Sequence, residues 1–221
     1  MRGRFLVIVL VSSTPLAGCH NTPPPREARF RVEEPGVAAQ YDEKTGRLRR
    51  LEVDTNKDGR VDTWSYMDGD RVEHIESDTD GDGTLDRWEY YTADHTLEKV
   101  GSSRAKDGVV DTWIYRDANQ QVVRRDLSTK RDGKADRIEF YDDGQLARVE
   151  SDSDGDGRVD KWETFDPPVE GSQTPVLRSV AFDPDERGRP RRRIQYHADG
   201  SFDRLEVDED GNGVFTTPAT L

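Results

Sequence analysis

The chain has 221 residues and a formal net charge of −13, with 36% charged and only 32% hydrophobic positions. So acidic a surface repels phosphate backbones and excludes nucleic acid as a partner. So few apolar residues exclude a thick core packed from two sides, and the charge suits a divalent cation.

At the N-terminus, Arg2 and Arg4 precede the apolar run Phe5 to Val11, and "LAGC" closes the stretch at Leu16 to Cys19. A basic start, a short apolar run and small residues before the cut predict a secretory signal over residues 1–18, too short to span a bilayer stably. "LAGC" resembles the bacterial lipobox. That resemblance implies lipidation of Cys19, the sole cysteine, and a membrane partner reached through the lipid. His20 follows where Asp would imply inner-membrane retention, so the resemblance implies the outer membrane in a two-membrane bacterium. Loss of Arg2 and Arg4 takes the formal charge from −13 to −15. Residues 19–28 hold Cys19 and a proline-rich, extended linker.

From residue 29 to 221 one unit is written about seven times. "VDTWSY" at 61, "LDRWEY" at 85, "VDTWIY" at 110, "ADRIEF" at 135 and "VDKWET" at 159 step by 24 or 25 residues. A sixth copy centres on "RRIQY" at 192, delayed by an insertion near 166–176, and partial copies open at Gln40 and close from Asp208. A fixed period of this size predicts a single repeat domain. In each unit an Asp/Gly loop precedes aromatic residues at period two, such as Trp64 and Tyr66, which predicts a strand. Asp68-Gly69, Asp143-Gly144 and Asp199-Gly200 then offer the dipeptide favoured in two-residue hairpin turns. The following segment spaces apolar pairs three apart: Leu48/Leu51, Val72/Ile75, Leu97/Val100 and Leu146/Val149. A bulged strand reconciles that spacing with a hairpin. The expected fold is all-β, an antiparallel meander, solenoid-like in its repetition, with two short strands per unit. "YDEKTGRL" at 41 and "YDDGQLARV" at 141 resemble YD repeats, the β-hairpin units of large bacterial shell and surface proteins.

The other half of the unit, DxDGDGxxD, resembles the calcium loops of EF-hands, thrombospondin type 3 repeats and FG-GAP blades. Calcium takes about 6–8 oxygens, so its loop points short side chains inward at the first, third and fifth positions. Glycine at the sixth permits the sharp turn, the seventh offers its carbonyl, and the ninth closes the shell directly or through water. Asp78, Asp80, Asp82, Gly83, Thr84 and Asp86 fill these places. So do Asp152, Asp154, Asp156, Gly157, Arg158 and Asp160, and likewise Asp54, Asn56, Asp58, Gly59, Arg60 and Asp62. Asp208, Asp210, Asn212 and Gly213 form a weaker fourth loop, with Thr216 at its ninth position. Carboxylates so crowded repel one another without a cation. About three calcium ions per chain are expected, with a weaker fourth site, and magnesium suits these all-protein cages less.

Glu89 and Glu163 stand at the twelfth position and complete the EF-hand pattern in two loops. Pro167 and Pro168 follow Glu163 closely, however, and proline inside a helix costs about 3 kcal/mol. The exiting helices of a calcium sensor are therefore not expected. The loops beginning at Ser103 and Ser128 have lost ligands, with Lys130 at a third position, and "DPDERGRPR" sets Arg187 and Arg191 at ligand places. These three are expected to be empty.

The tryptophans at 64, 88, 113 and 162 recur in register and predict a ladder on one face, either packed as core or exposed as a platform. "RGRPRRR" from Arg187 is the one basic cluster. The four histidines show no ligand spacing and no serine sits in a nucleophile elbow, so no enzyme is expected. The residues together predict a calcium-binding, lipid-anchored protein of the cell envelope with a structural or adhesive role. Its partners would be an envelope protein or a polysaccharide. The alternative is a calcium-dependent module that binds glycan or peptide through the tryptophans.

Overall fold

Segments with period-two alternation become strands, and the Asp/Gly stretches become their connections. The computed structural model describes residues 35–183 and 188–218; the signal segment, Cys19 and the linker lie outside them. The first strands are β1 (Val37–Tyr41), β2 (Leu48–Val53), β3 (Thr63–Asp68), β4 (Arg71–Ser77), β5 (Arg87–Tyr91), β6 (Leu97–Ser102) and β7 (Thr112–Arg116). Then come β8 (Val122–Leu127), β9 (Arg137–Asp142), β10 (Gln145–Ser151), β11 (Lys161–Asp166), β12 (Val176–Phe182), β13 (Arg192–Tyr196) and β14 (Phe202–Val207). All 14 lie in sequence order in one antiparallel sheet, as the all-β meander reading expects.

They form seven hairpins. The opening copy, read as partial, is the complete hairpin β1–β2. The insertion lengthens the turn between β11 and β12 without interrupting the sheet. After β14 the chain adds one bridge, Val207 to Thr216. Among the described residues each strand lies against its sequence neighbours alone. The interfaces are therefore strung in one dimension, as in repeat proteins, but in a single open layer instead of a coil of stacked turns.

A register shift marks every hairpin. In β3–β4, Tyr66 faces His74 and Met67 faces Val72, which leaves Glu73 as the extra residue. The bulge thereby turns Val72 and Ile75, three apart, toward one face. Leu48/Leu51, Leu97/Val100 and Leu146/Val149 are brought together in the same way.

The turns follow the expectation at one of its three places. Asp143-Gly144 forms a two-residue turn with φ of 46° and 75°, the type I′ pattern. In β3–β4, Asp68 still pairs with Arg71, so the turn is Gly69-Asp70 and only Gly69 needs positive φ, at 70°. Asp199-Gly200 sits in a longer turn, closed where His197 N donates to Ser201 O at 2.9 Å. Strand length, not the dipeptide, decides which residues are central.

One face carries the row Glu52, Trp64, Glu76, Trp88, Gly101, Trp113, Asp126, Ile138, Glu150 and Trp162 from strand to strand. The tryptophan ladder is thus on one face, and all four rings are half-buried. Beside it, rings alternate with cations. Tyr66 stacks on His74 at 4.1 Å, Lys99 Nζ lies 4.6 Å from Tyr90 and 4.9 Å from Trp113, and Arg148 lies 4.0 Å over Phe140. Such contacts contribute about 0.5–1 kcal/mol each at exposed sites.

The opposite face carries Leu51, Ile75, Val100, Ile114, Val149, Val180, Ile194 and Leu205. Val149 is fully buried although no second layer covers it among the described residues. It pairs with Glu139 on one side and Glu163 on the other. Arg137 reaches both glutamates, at 3.0 and 3.7 Å, while Arg125 adds 3.5 Å to Glu139 and Lys161 adds 2.9 Å to Glu163. The apolar stems of such long side chains can cover an aliphatic row, and here their heads pair with one another, with Glu139 itself buried. This canopy replaces the missing layer.

Gly101 tests the packing of the other face. A Cβ there would stand 2.8 Å from the Trp113 ring. Gly101→Val is expected to lift Trp113 off the sheet and cost about 1–3 kcal/mol. Urea unfolding followed by tryptophan fluorescence checks it, and an unchanged midpoint would overturn this account of the ladder.

Candidate metal centre

A meander reverses at every strand, so the hairpin turns leave from one end of the sheet and all the Asp/Gly loops from the other. The loops stack there. A Cβ on Gly81 would lie 3.5 Å from Asn56 Nδ2, one on Gly108 would lie 3.2 Å from Thr84, and one on Gly133 would lie 3.2 Å from Val109.

The six loops that are described throughout share one curl whatever their spelling. The sixth position takes positive φ in these and in the loop of Gly188, from 71° at Gly188 to 94° at Gly83. The fourth does so as Gly81, Gly155 and Gly211, and equally as Lys57, Lys106 and Arg131, at 65°, 61° and 57°. A non-glycine residue there costs about 1–2 kcal/mol.

The first carboxylate holds the curl. Asp78 accepts from Gly81 N at 2.8 Å and Gly83 N at 2.7 Å, and Asp152 from Gly155 N at 2.6 Å and Gly157 N at 2.8 Å. Asp54 and Asp208 accept the corresponding amides of their own loops. Burial pushes Asp78, Asp152 and Asp208 up, but the amide N–H groups outweigh it and hold all three below the usual carboxylate range. In the two ligand-poor loops a serine hydroxyl takes the place of the first carboxylate and accepts from Asp107 N at 3.3 Å and Asp132 N at 3.1 Å. Ser103 Oγ donates to Asp107 and Ser128 Oγ to Asp132, each at 3.0 Å.

The fifth residue bonds the seventh. Asp58, Asp82, Asp156 and Asn212 accept from the amides of Arg60, Thr84, Arg158 and Val214, at 2.8, 2.7, 2.7 and 2.7 Å.

The ninth residue has a role that the calcium-loop pattern does not contain. Asp62 accepts from Thr55 N and Oγ1, Asp86 from Thr79, Asp136 from Thr129 and Asp160 from Ser153, with hydroxyl distances of 2.7–2.8 Å. Asp111 accepts from Arg104 N at 2.8 Å and Nε at 3.1 Å. The same aspartates tie neighbouring loops through the main chain. Asp62 N donates to Val53 O at 3.0 Å, and Asp62 O accepts from Asp78 N at 2.9 Å. The hydroxyl at the second position, spelled Thr55, Thr79, Thr129 and Ser153, was the sequence signal for this closure.

Two places gather carboxylates. Asp78, Asp80 and Asp86 each present an oxygen within 4.8 Å of the others, and so do Asp152, Asp154 and Asp156. Three oxygens at that spacing can share one metal ion. Asp82 is outside the first group and Asp160, held by Ser153, outside the second. The loop of Asp54 brings Asn56 Nδ2 to Asp58 at 3.3 Å, and that of Asp208 brings Asn212 Nδ2 to Asp210 at 2.8 Å. Asn56 stands where the two gathered groups have Asp80 and Asp154, and Asn212 where the second has Asp156. Arg60, Thr84 and Arg158 enter the hydrogen-bonding of their loops through the main chain.

Glu89 and Glu163 are not brought to the loops. Glu89 accepts from Arg87 Nε and Tyr91 Oη, both at 2.6 Å, and Glu163 belongs to the canopy over Val149. The residues after the ninth position extend as a strand, so the twelfth is carried along the sheet where a helix would swing it back. The basic cluster is also engaged: Arg191 Nε donates to Asp208 O at 2.6 Å, and Arg193 pairs with Glu206 at 2.6 Å.

Asp111 is 2% exposed. Burial pushes its carboxyl up, but the Arg104 amide, the Thr112 hydroxyl and the Arg104 guanidinium hold it below its ordinary value of 3.8. Asp62 is lowered in the same direction. A depressed carboxylate contributes its stability in full above the unfolded value and loses it as the pH falls through the folded one. Stability is therefore expected to be level above about pH 5 and to fall steeply with acid below it. Asp111→Asn should cost about 1–3 kcal/mol at pH 7 and much less at about pH 3. Urea midpoints at the two pH values check this, and equal losses at both would refute the charged closure.

No protein-family model matches the chain, and no curated protein does. Among solved structures, a mutant of Staphylococcus aureus TarM, in complex with fondaparinux, alpha-GlcNAc-glycerol and UDP, is similar over 54% of this chain and 21% of that one, at 18% identity and a TM-score of 0.37. Accessory secretory protein 1, 2 and 3 of Streptococcus pneumoniae is similar over 72% of this chain and 21% of that one, at 13% identity and a TM-score of 0.25. A porin-like protein from Bacteroides uniformis is similar over 82% and 86% of the two chains, at 12% identity and a TM-score of 0.25. The chain spans about a fifth of the first two.

Proposed function

We propose that the protein is a calcium-binding β-repeat of the bacterial cell envelope, held to the membrane through a lipid on Cys19, in which calcium stiffens the loop edge. The observation that carries this reading is the pair of three-carboxylate groups, Asp78/Asp80/Asp86 and Asp152/Asp154/Asp156. Each sits on a loop whose curl is already set by amides bonded to the first aspartate. Hard carboxylate oxygens suit a hard cation, and calcium accepts an irregular all-protein shell where magnesium retains its water. The role is structural or adhesive, with an envelope protein or polysaccharide as partner. One feature favours a second reading, a calcium-dependent glycan-binding module: the tryptophans at 64, 88, 113 and 162 are half-buried on a face that no layer covers among the described residues.

A site of about 0.1 mM affinity contributes about 1.4 kcal/mol at about 1 mM calcium. Three independent sites contribute about 4 kcal/mol, a large part of the ~5–15 kcal/mol of a typical domain. The melting temperature is expected to rise clearly with calcium, and indifference to chelator would sink the reading. Native mass spectrometry should count about three ions, with a weaker fourth. Asp154→Ala should remove one, and Asp132→Ala none. Cys19→Ser should release the protein from the membrane fraction, and continued sedimentation with membranes would refute the lipid anchor.

A further inference from the structure

The loop beginning at Ser103 has lost carboxylates and gained Lys106 at its fourth position, in the left-handed region at φ 61°. The side chain of that lysine does not serve its own loop. Stacking brings Gly108 against Thr84, and the Lys106 side chain crosses to the neighbour. Its Nζ donates to Thr79 Oγ1 at 2.9 Å, lies 3.4 Å from Asp80 Oδ2 and pairs with Asp86. Asp80 and Asp86 are two of the three carboxylates of the first group. An ammonium is a compact point charge with three donors. It offers those oxygens one positive charge at the place where a metal ion would offer two.

The other ligand-poor loop differs. Lys130 runs over Gly155, where a Cβ would collide with it, and its charge helps to lower Asp152. Among the described residues, however, it closes no ion pair with the acids of the second group. The two groups are thus unequal, although their loops are spelled almost alike.

We propose that Lys106 is a tethered counter-ion for the loop of Asp78, and that a divalent cation binds that loop only in competition with it. The competition rests on the calcium reading above; the counter-ion does not. A metal-free loop of Asp78 keeps one positive charge from its neighbour, whereas the loop of Asp152 depends more on the metal. Calcium fills the loop of Asp152 first.

The test uses the full chain in detergent, with Lys106→Gln and Lys106→Arg as variants. In chelator, Lys106→Gln should melt about 2–4 °C lower, the scale on which a domain of this size responds to the loss of one favourable contact. Lys106→Arg should restore the melting temperature. In a calcium titration followed by amide NMR, Gly83 reports the first loop and Gly157 the second. Half-saturation at Gly83 should fall about fivefold in Lys106→Gln, the upper range for a partly exposed pair, with Gly157 unmoved. Equal melting in chelator would overturn the counter-ion. Calcium binding at Gly83 that is unchanged or weaker in Lys106→Gln would overturn the competition. If neither protein binds calcium while the chelated difference persists, the calcium reading fails and takes the competition with it, and the counter-ion is upheld.

Discussion

The fold depends on the aspartate at the ninth loop position. Asp62, Asp86, Asp111, Asp136 and Asp160 each bond the second residue of their own loop, and each main chain joins the strand before it to the loop after it. Among the described residues the sheet has no partner sheet to fix its strand ends, so this carboxylate does so instead. Asp62, Asp86 and Asp111 are buried for the purpose. Their charge is tolerated because N–H and O–H donors surround it. Where Arg191 takes the ninth place, the main-chain ties persist: Arg191 N donates to Phe182 O at 2.8 Å and Asp208 N to Arg191 O at 3.0 Å. The side chain then braces the next loop.

This closure separates fold from metal. The third position lies outside it, and the first changes from Asp to Ser, and the fifth from Asp to Asn, without loss of the curl. Ser103 and Ser128 take over the first position with a hydroxyl that donates to the carboxylate of Asp107 or Asp132 and accepts from its amide. Ligand-bearing and ligand-poor loops can therefore alternate along one edge. Because the loops stack, a charge spelled in one loop acts in the next, as Lys106 does.

The two faces solve the same shortage of apolar residues in different ways. One stacks rings on cations, and the other covers aliphatic residues with paired Arg, Lys and Glu side chains. The high charged fraction is thus part of the packing. Arg137 pairs with both Glu139 and Glu163, the cross-strand neighbours of buried Val149, where a long stem can add cover as well as charge.

Local rules made much of this legible from the residues alone. Period-two aromatics marked the strands, apolar pairs three apart marked the bulges, and Asp/Gly spacing marked the loops. Each of these signals lies within one unit and reflects backbone geometry that every copy repeats. Only the tertiary structure decided what crosses between units. Glu163 was spelled as a loop ligand, but the strand carries it to Arg137, and only the pairing of β10 with its neighbours places both over Val149. Lys106 meets Asp86 from 20 residues away, through loop stacking that no single unit encodes. The tryptophans are half-exposed because the sheet has one layer, and layer number is settled by what packs on a face, not by the alternation that creates it.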